Sequence, residues 1–178
     1  PIFDFEMDSQ EYFKLQENKL VISKVIDYER IDSTQFAFDI KAISHDSFSV
    51  AHLSIEIQNI NDNSPIFDKG FYKAAVLESV KESEVILKVK AIDNDAIRNE
   101  NDKFSGYSNI AYSLSGANSG LFAISKDGEI RLAKNQSLDR EKLSMVHFQI
   151  IAEDSFGKPL TAKKSFVNVS IEVLDIND

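Results

Sequence analysis

The residues best equipped for chemistry in this chain are oxygen donors gathered in one short segment, Asn59-Ile60-Asn61-Asp62-Asn63-Ser64-Pro65. Carboxylate and amide oxygens at near-consecutive positions, closed by a proline, make a poor strand and a poor helix. They make a good cage for a hard cation. Calcium takes about six to eight oxygen ligands, drawn from Asp, Glu, Asn and backbone carbonyls. Part of the segment returns at the end of the chain as Asp175-Ile176-Asn177-Asp178. The recurrence marks the chain as a repeat protein, with the oxygen-rich peptide as the joint between repeats.

Further landmarks recur in the same order. Ile26-Asp27-Tyr28-Glu29-Arg30 matches Leu138-Asp139-Arg140-Glu141, Phe36–Ala42 matches Val146–Ala152, and Ala51–Ile57 matches Val167–Val173. Alternation of apolar and polar residues with period two makes these segments strands with one packed and one wetted face. Val85, Leu87, Val89 and Ala91 are expected on one face, and Ile110, Tyr112 and Leu114 likewise. Turn signals fall between strands at Gly116, Asp127-Gly128 and Gly157-Lys158-Pro159. Strands are expected near 71–78, 84–91, 109–114, 121–125, 129–133, 144–153 and 164–174, which is the pattern of a β-sandwich. Phe13, Phe36, Phe38, Phe122 and Phe148 are expected in the cores. The expected fold is all-β: tandem seven-stranded Greek-key β-sandwiches at residues 1–63 and 64–178, the first repeat incomplete by about fifty residues against the second.

Composition narrows the function. The chain has 178 residues, 43% of them hydrophobic, enough for a packed core. Its net charge is −9, from 29 acidic and 20 basic residues, which argues against a nucleic-acid partner. An acidic balance is ordinarily a solvated surface, but here the acids cluster at repeated positions. There is no cysteine, so a disulfide or a thiolate zinc site is excluded, and a metal staple outside the cell remains compatible. Neither a signal peptide nor a membrane-spanning apolar run is present. The three histidines, His45, His52 and His147, stand near no nucleophile motif, and no phosphate-binding loop occurs. Asp46 and Asp102 read as solvated turn acids. Two acceptor triplets for N-glycans, Asn135-Gln136-Ser137 and Asn168-Val169-Ser170, lean toward a secreted context, with Asn168 on the outward side of its expected strand.

Together the linker Asn59–Pro65, the Asp27-Tyr28-Glu29 and Asp139-Arg140-Glu141 elements, Asp93-Asn94-Asp95, Ala152-Glu153-Asp154 and Leu77-Glu78-Ser79 resemble the extracellular repeat of cadherins. The resemblance covers essentially the whole chain. It implies calcium as the bound metal, with three ions at the joint. The implied ligands are Asp27 and Glu29, then Asn59, Asn61, Asp62 and Asn63 with the carbonyl of Ile60, then Asp93, Asp95 and Asp154, with a backbone oxygen of Asn109. Glu78, Asp139, Glu141, Asp175 and Asp178 are implied to form half of a second joint. Asn59 stands where the family has Asp, and Ser44 stands where a copy of Asp154 is expected. Two carboxylates spaced Asp-x-Asp on an extended segment can share one cation, and such a cluster is costly until a cation cancels the repulsion.

The resemblance further implies calcium-dependent cell–cell adhesion by the extracellular part of a plasma-membrane protein, with calcium stiffening the linker between repeats and another cadherin, homophilic or heterophilic, as partner. The alternative within the family is a structural spacer or heterophilic receptor segment with no direct adhesive contact. The absence of Trp excludes exchange of a tryptophan-bearing N-terminal strand. The chain is therefore closer to long cadherins of the Fat, Dachsous, protocadherin or insect-midgut kind. An enzyme, and a calcium-free sandwich of the immunoglobulin or fibronectin kind, are the competing readings.

Overall fold

The structure is a computed structural model that describes residues 4–7 (backbone), 11–17, 19–44, 47–95, 109–154 and 162–176. Asp178, Asp46, Asp102 and His45, singled out above, lie outside the described residues. The chain divides into two compact units, Pro1–Asn59 and Ile60–Asp178.

The second unit is a two-sheet sandwich. Its strands are β6 (Ile66–Phe67), β7 (Phe71–Leu77), β8 (Leu87–Lys88), β9 (Ala91–Ile92), β10 (Ala111–Ser115), β11 (Phe122–Ile124), β12 (Glu129–Leu132), β13 (Met145–Glu153) and β14 (Lys164–Leu174). One sheet has the order β10-β13-β14-β7, the other β11-β12-β8, and β6 pairs with β9. The first and last strands of the larger sheet, β7 and β14, run parallel, and its other pairs are antiparallel. Period-two alternation drives this arrangement. On β13, Val146, Phe148, Ile150 and Ala152 are buried while Met145, His147 and Gln149 face water. The inner faces of both sheets contribute to one core of Tyr72, Val89, Phe122, Ile130, Phe148, Ile171 and their neighbours. Phe122 stacks on Phe148 with ring centroids 5.0 Å apart. Each fully buried Ile or Val stabilises the unit by roughly 1.5–3 kcal/mol relative to exposure.

One expected strand differs from its sequence reading. The run 84–91 is not a single strand with one apolar face; it divides into β8 and β9, and Val85 is 44% exposed. The reason is a change of partner. Ile86 N–H donates to the Ile130 carbonyl at 2.8 Å and Val89 N–H to the Gly128 carbonyl at 2.9 Å, after which β9 joins β6. A segment that passes from one sheet to the other cannot keep one face inward along its whole length. Gly128 makes the crossing possible: its φ is +77°, and a Cβ there would lie 2.1 Å from the Val89 carbonyl oxygen. A short 3₁₀ turn, Ser119–Leu121, leads into β11.

The first unit contains β1 (Asp4–Met7), β2 (Phe13–Gln16), β3 (Lys19–Ile22), β4 (Gln35–Ser44) and β5 (Ser47–Glu56). β4 and β5 form a long antiparallel hairpin flanked by β1, and β2 pairs with β3. Its core centres on Phe13, Ile31 and Phe38, with half-buried Phe36 edge-on to Phe13 at 5.3 Å between centroids. Ser44 ends β4, and its carbonyl accepts from Ser47 Oγ at 3.3 Å.

Candidate metal centres

Two groups of carboxylates in the second unit meet the geometric demand of a shared cation. The first is Asp93, Asp95 and Asp154. One oxygen from each lies within 4.8 Å of the others. β9 delivers Asp93 and Asp95 just past its end, and β13 delivers Asp154 just past its own end. Asp95 and Asp154 are both 0% exposed. Asp95 N–H donates to Asp93 Oδ1 at 2.9 Å, which fixes the Asp-x-Asp turn. The linker joins through Asn63. Its backbone N–H donates to both Asp95 oxygens at 3.2 and 3.3 Å, and its Nδ2 donates to Asp95 Oδ1 at 2.6 Å and to Asp62 Oδ1 at 2.9 Å. Asp154 Oδ1 accepts from Lys163 N–H at 2.6 Å.

Asp93 Oδ2 and Asp154 Oδ2 are buried and make no hydrogen bond among the described residues. A buried carboxylate oxygen without a donor is expensive unless a cation meets it. Burial pushes the Asp93 carboxyl above its ordinary value; the Asp95 N–H pulls it back, and the charges of Asp95 and Asp154 push it further up. These acid-only, oxygen-only donors fit a hard cation of the calcium type.

The second group is Glu78, Asp139 and Glu141, with one oxygen of each again within 4.8 Å of the others. Glu78 is the hub. It follows β7, and its Oε2 accepts from Arg140 N–H at 2.9 Å while its Oε1 accepts from Ile176 N–H at 3.2 Å. Cations already stand among these acids. Arg140 Nη2 donates to Glu141 Oε1 at 2.8 Å and reaches Asp175 Oδ2 at 3.4 Å. Lys142 Nζ pairs with Asp139 Oδ2 at 2.6 Å, and that contact holds the Asp139 carboxyl below its ordinary value.

The remaining sequence-derived residues are placed as follows. Ile60 is exposed, and its carbonyl accepts from Asp62 N–H at 3.0 Å. Asn61 is half-buried, Asp62 exposed and Asn109 exposed. Asn59 is 2% exposed, and both polar atoms of its side chain are buried without a hydrogen bond among the described residues. In the first unit, the Asp27 carbonyl accepts from Arg30 and Ile31 N–H, which makes a turn that carries exposed Asp27 and half-buried Glu29. Sequence reasoning missed the two lysines. Lys142 had a legible signal, three residues after Asp139 in a turn; Lys163 reaches Asp154 through its backbone N–H, which its residue type does not announce.

A cadherin domain model matches residues 72–174. The Fat-like cadherin-related tumor suppressor homolog of Drosophila melanogaster is 39% identical over 141 residues, 79% of this chain and 3% of that protein. Cadherin-23 of Mus musculus is 33% identical over 175 residues, 94% of this chain and 5% of that protein. The chain thus spans only a few per cent of the length of these relatives. Among solved structures, mouse cadherin-23 EC22–24 superposes with a TM-score of 0.82 at 31% identity, over 99% of this chain and 55% of that one. Drosophila N-cadherin EC1–4 shares the fold with a TM-score of 0.79 at 22% identity, over 97% of this chain and 41% of that one. With a matching domain model over most of its second unit and relatives of the Fat and cadherin-23 kind, the chain belongs to the cadherin family, in its non-classical branch.

Proposed function

We propose that this chain is a calcium-dependent adhesion segment of a long ectodomain, in which carboxylates hold calcium and thereby stiffen the linker between the repeats 1–63 and 64–178. The family is one of adhesion ectodomains and not of enzymes. The observation that carries the reading is the Asp93–Asp95–Asp154 cluster: two fully buried acids, a third raised by burial, and two buried oxygens without a donor. Asp93, Asp95 and Asp154 hold the cation from the second repeat, Asn61, Asp62 and Asn63 from the linker, and Asp27 and Glu29 from the first repeat. Asn59, the Ile60 carbonyl and an Asn109 backbone oxygen complete the proposed set. Bound calcium supplies positive charge that cancels the repulsion among these acids and ties flexible polar peptide to folded sandwich. Asn63 orients Asp95 through three hydrogen bonds and so couples the linker to the sandwich.

Glu78, Asp139, Glu141, Asp175 and Asp178 form the second proposed set. Extracellular calcium modules bind at about 10⁻⁴–10⁻³ M, so such sites fill outside the cell and stay empty inside it. In this reading the chain lies on the outer side of the plasma membrane, its parent protein is membrane-anchored, and its partner is another cadherin. Among the described residues no helix is long and apolar enough to cross a membrane. Small-angle scattering of the chain in millimolar calcium and in chelator tests the proposal. The expected result is a narrower, more extended distribution with calcium, abolished by Asp95→Ala while both sandwiches stay folded. An identical distribution for the wild type in both buffers overturns it.

A further inference from the structure

The larger sheet of the second unit carries an exposed face that the calcium reading does not use. On β14, residues Phe166, Asn168 and Glu172 point outward. The register places Asn168 opposite Gln149 of β13 on one side and Phe71 of β7 on the other. Phe166, two residues before Asn168 on the same face, is 59% exposed, and Phe71 is 42% exposed. Asn168 therefore stands beside two partly exposed phenyl rings on a face that also carries His147, Gln149, Glu172 and Lys73, whose Nζ lies 5.6 Å from the centroid of the Phe71 ring. Asn168 Oδ1 accepts from Gln149 Nε2 at 3.0 Å, which engages the carbonyl end of the amide and not its nitrogen. Phe71, His147, Gln149 and Asn168 line an open groove at this point. Asn168-Val169-Ser170 is an N-glycan acceptor triplet.

We propose that Asn168 carries an N-linked glycan whose first N-acetylglucosamine lies against Phe71 and Phe166. A pyranose ring presents a flat array of C–H groups, and an aromatic face, negative at its centre, is the complement to it. The sugar covers apolar surface that the fold leaves partly exposed, most of it on Phe166. The donor is a lipid diphosphate-linked oligosaccharide. Asn168 Nδ2 bonds to C1 of the sugar, the C1–O bond to the diphosphate breaks, the amide loses one proton, and the lipid diphosphate leaves with the bonding pair. Nothing is oxidised or reduced. The fold also sets the timing. Ser170, whose hydroxyl completes the triplet, is 9% exposed, and its Oγ lies 3.1 Å from Met145 Sδ. Transfer therefore precedes the closing of β14 between β13 and β7.

The second triplet serves as an internal control. Asn135 sits in a turn at φ +61°, its N–H donates to Glu82 Oε1 at 2.7 Å, and no aromatic residue lies within two positions of it in the sequence. The proposal rests on the extracellular placement, because the transferase works in the secretory pathway. The test is glycopeptide mass spectrometry of the chain secreted from animal cells in calcium-containing medium, followed by melting curves. Asn168 is expected to be occupied in most molecules. Trimming the glycan to its first sugar leaves the melting temperature in place, and complete removal, or Asn168→Gln, lowers it by about 2–4 °C. Phe166→Ser removes that difference. A secreted chain glycosylated only at Asn135 overturns the proposal and leaves the extracellular reading standing. An occupied Asn168 whose glycan can be removed with no change in melting overturns the aromatic seat.

Discussion

The two acidic clusters of the second unit each bring three carboxylates within reach of one another, and they meet opposite surroundings. Asp93, Asp95 and Asp154 are drawn into the protein, and burial raises the Asp93 carboxyl. Glu78, Asp139 and Glu141 sit nearer to water with Arg140 and Lys142 among them, and the Lys142 contact lowers the Asp139 carboxyl. Like charges close together need an opposite charge, and the two ends of one sandwich obtain it differently. The buried cluster leaves two carboxylate oxygens, Asp93 Oδ2 and Asp154 Oδ2, without a hydrogen bond among the described residues. The open cluster meets part of its demand with the chain's own side chains, so calcium there must compete with ion pairs already formed.

The largest expected consequence of that difference is in calcium-dependent stability. At a calcium concentration tenfold above its dissociation constant, each bound ion adds about 1.4 kcal/mol. Asp154→Asn is expected to erase the gain from the buried cluster, whereas Glu141→Gln leaves that gain in place, as read by calorimetric melting with and without calcium. Equal losses from the two variants would break the contrast. A sign test sharpens it further. In chelator, Asp93→Asn raises the melting temperature by relieving repulsion, and Asp139→Asn lowers it by removing the partner of Lys142.

Titration gives a third comparison, followed by carboxyl-carbon NMR in chelator. Asp93 is expected to titrate above 3.8 and Asp139 below 3.8. For Asp93 the folded value is raised, so its contribution to stability is full below the ordinary value and is lost as pH rises through the folded one. For Asp139 the folded value is depressed, so its contribution is present above the ordinary value and is lost as pH falls through the folded one. Two curves shifted in the same direction would contradict the structure. The smallest effect belongs to Arg140. Arg140→Gln in chelator costs about 0.2–1 kcal/mol, the usual range for exposed ion pairs, while calcium affinity at the open cluster rises in isothermal calorimetry. A variant that loses both stability and affinity would show that Arg140 supports the site rather than competes for it.

Much of this molecule is written in local patterns. The alternation on β13 and β14 specified strands, inward faces and core residues such as Phe148 and Ile171, because a side chain's face in a strand depends only on its parity. Asp127-Gly128 announced its turn, and the spacing in Asp93-Asn94-Asp95 announced two carboxylates turned toward one point, because both properties reside within a few residues. The tertiary structure decided what depends on residues far apart in sequence. It divided the run 84–91 between two sheets, since the change of partner is dictated by Gly128 and Ile130. It joined Glu78 to Arg140 and Ile176, and it buried Asp154 while leaving Asp139 beside Lys142. Sequence by itself thus determined which side chains could hold a cation. Desolvation and neighbouring charge, which exist only once the sheets have packed, decided which of them need one.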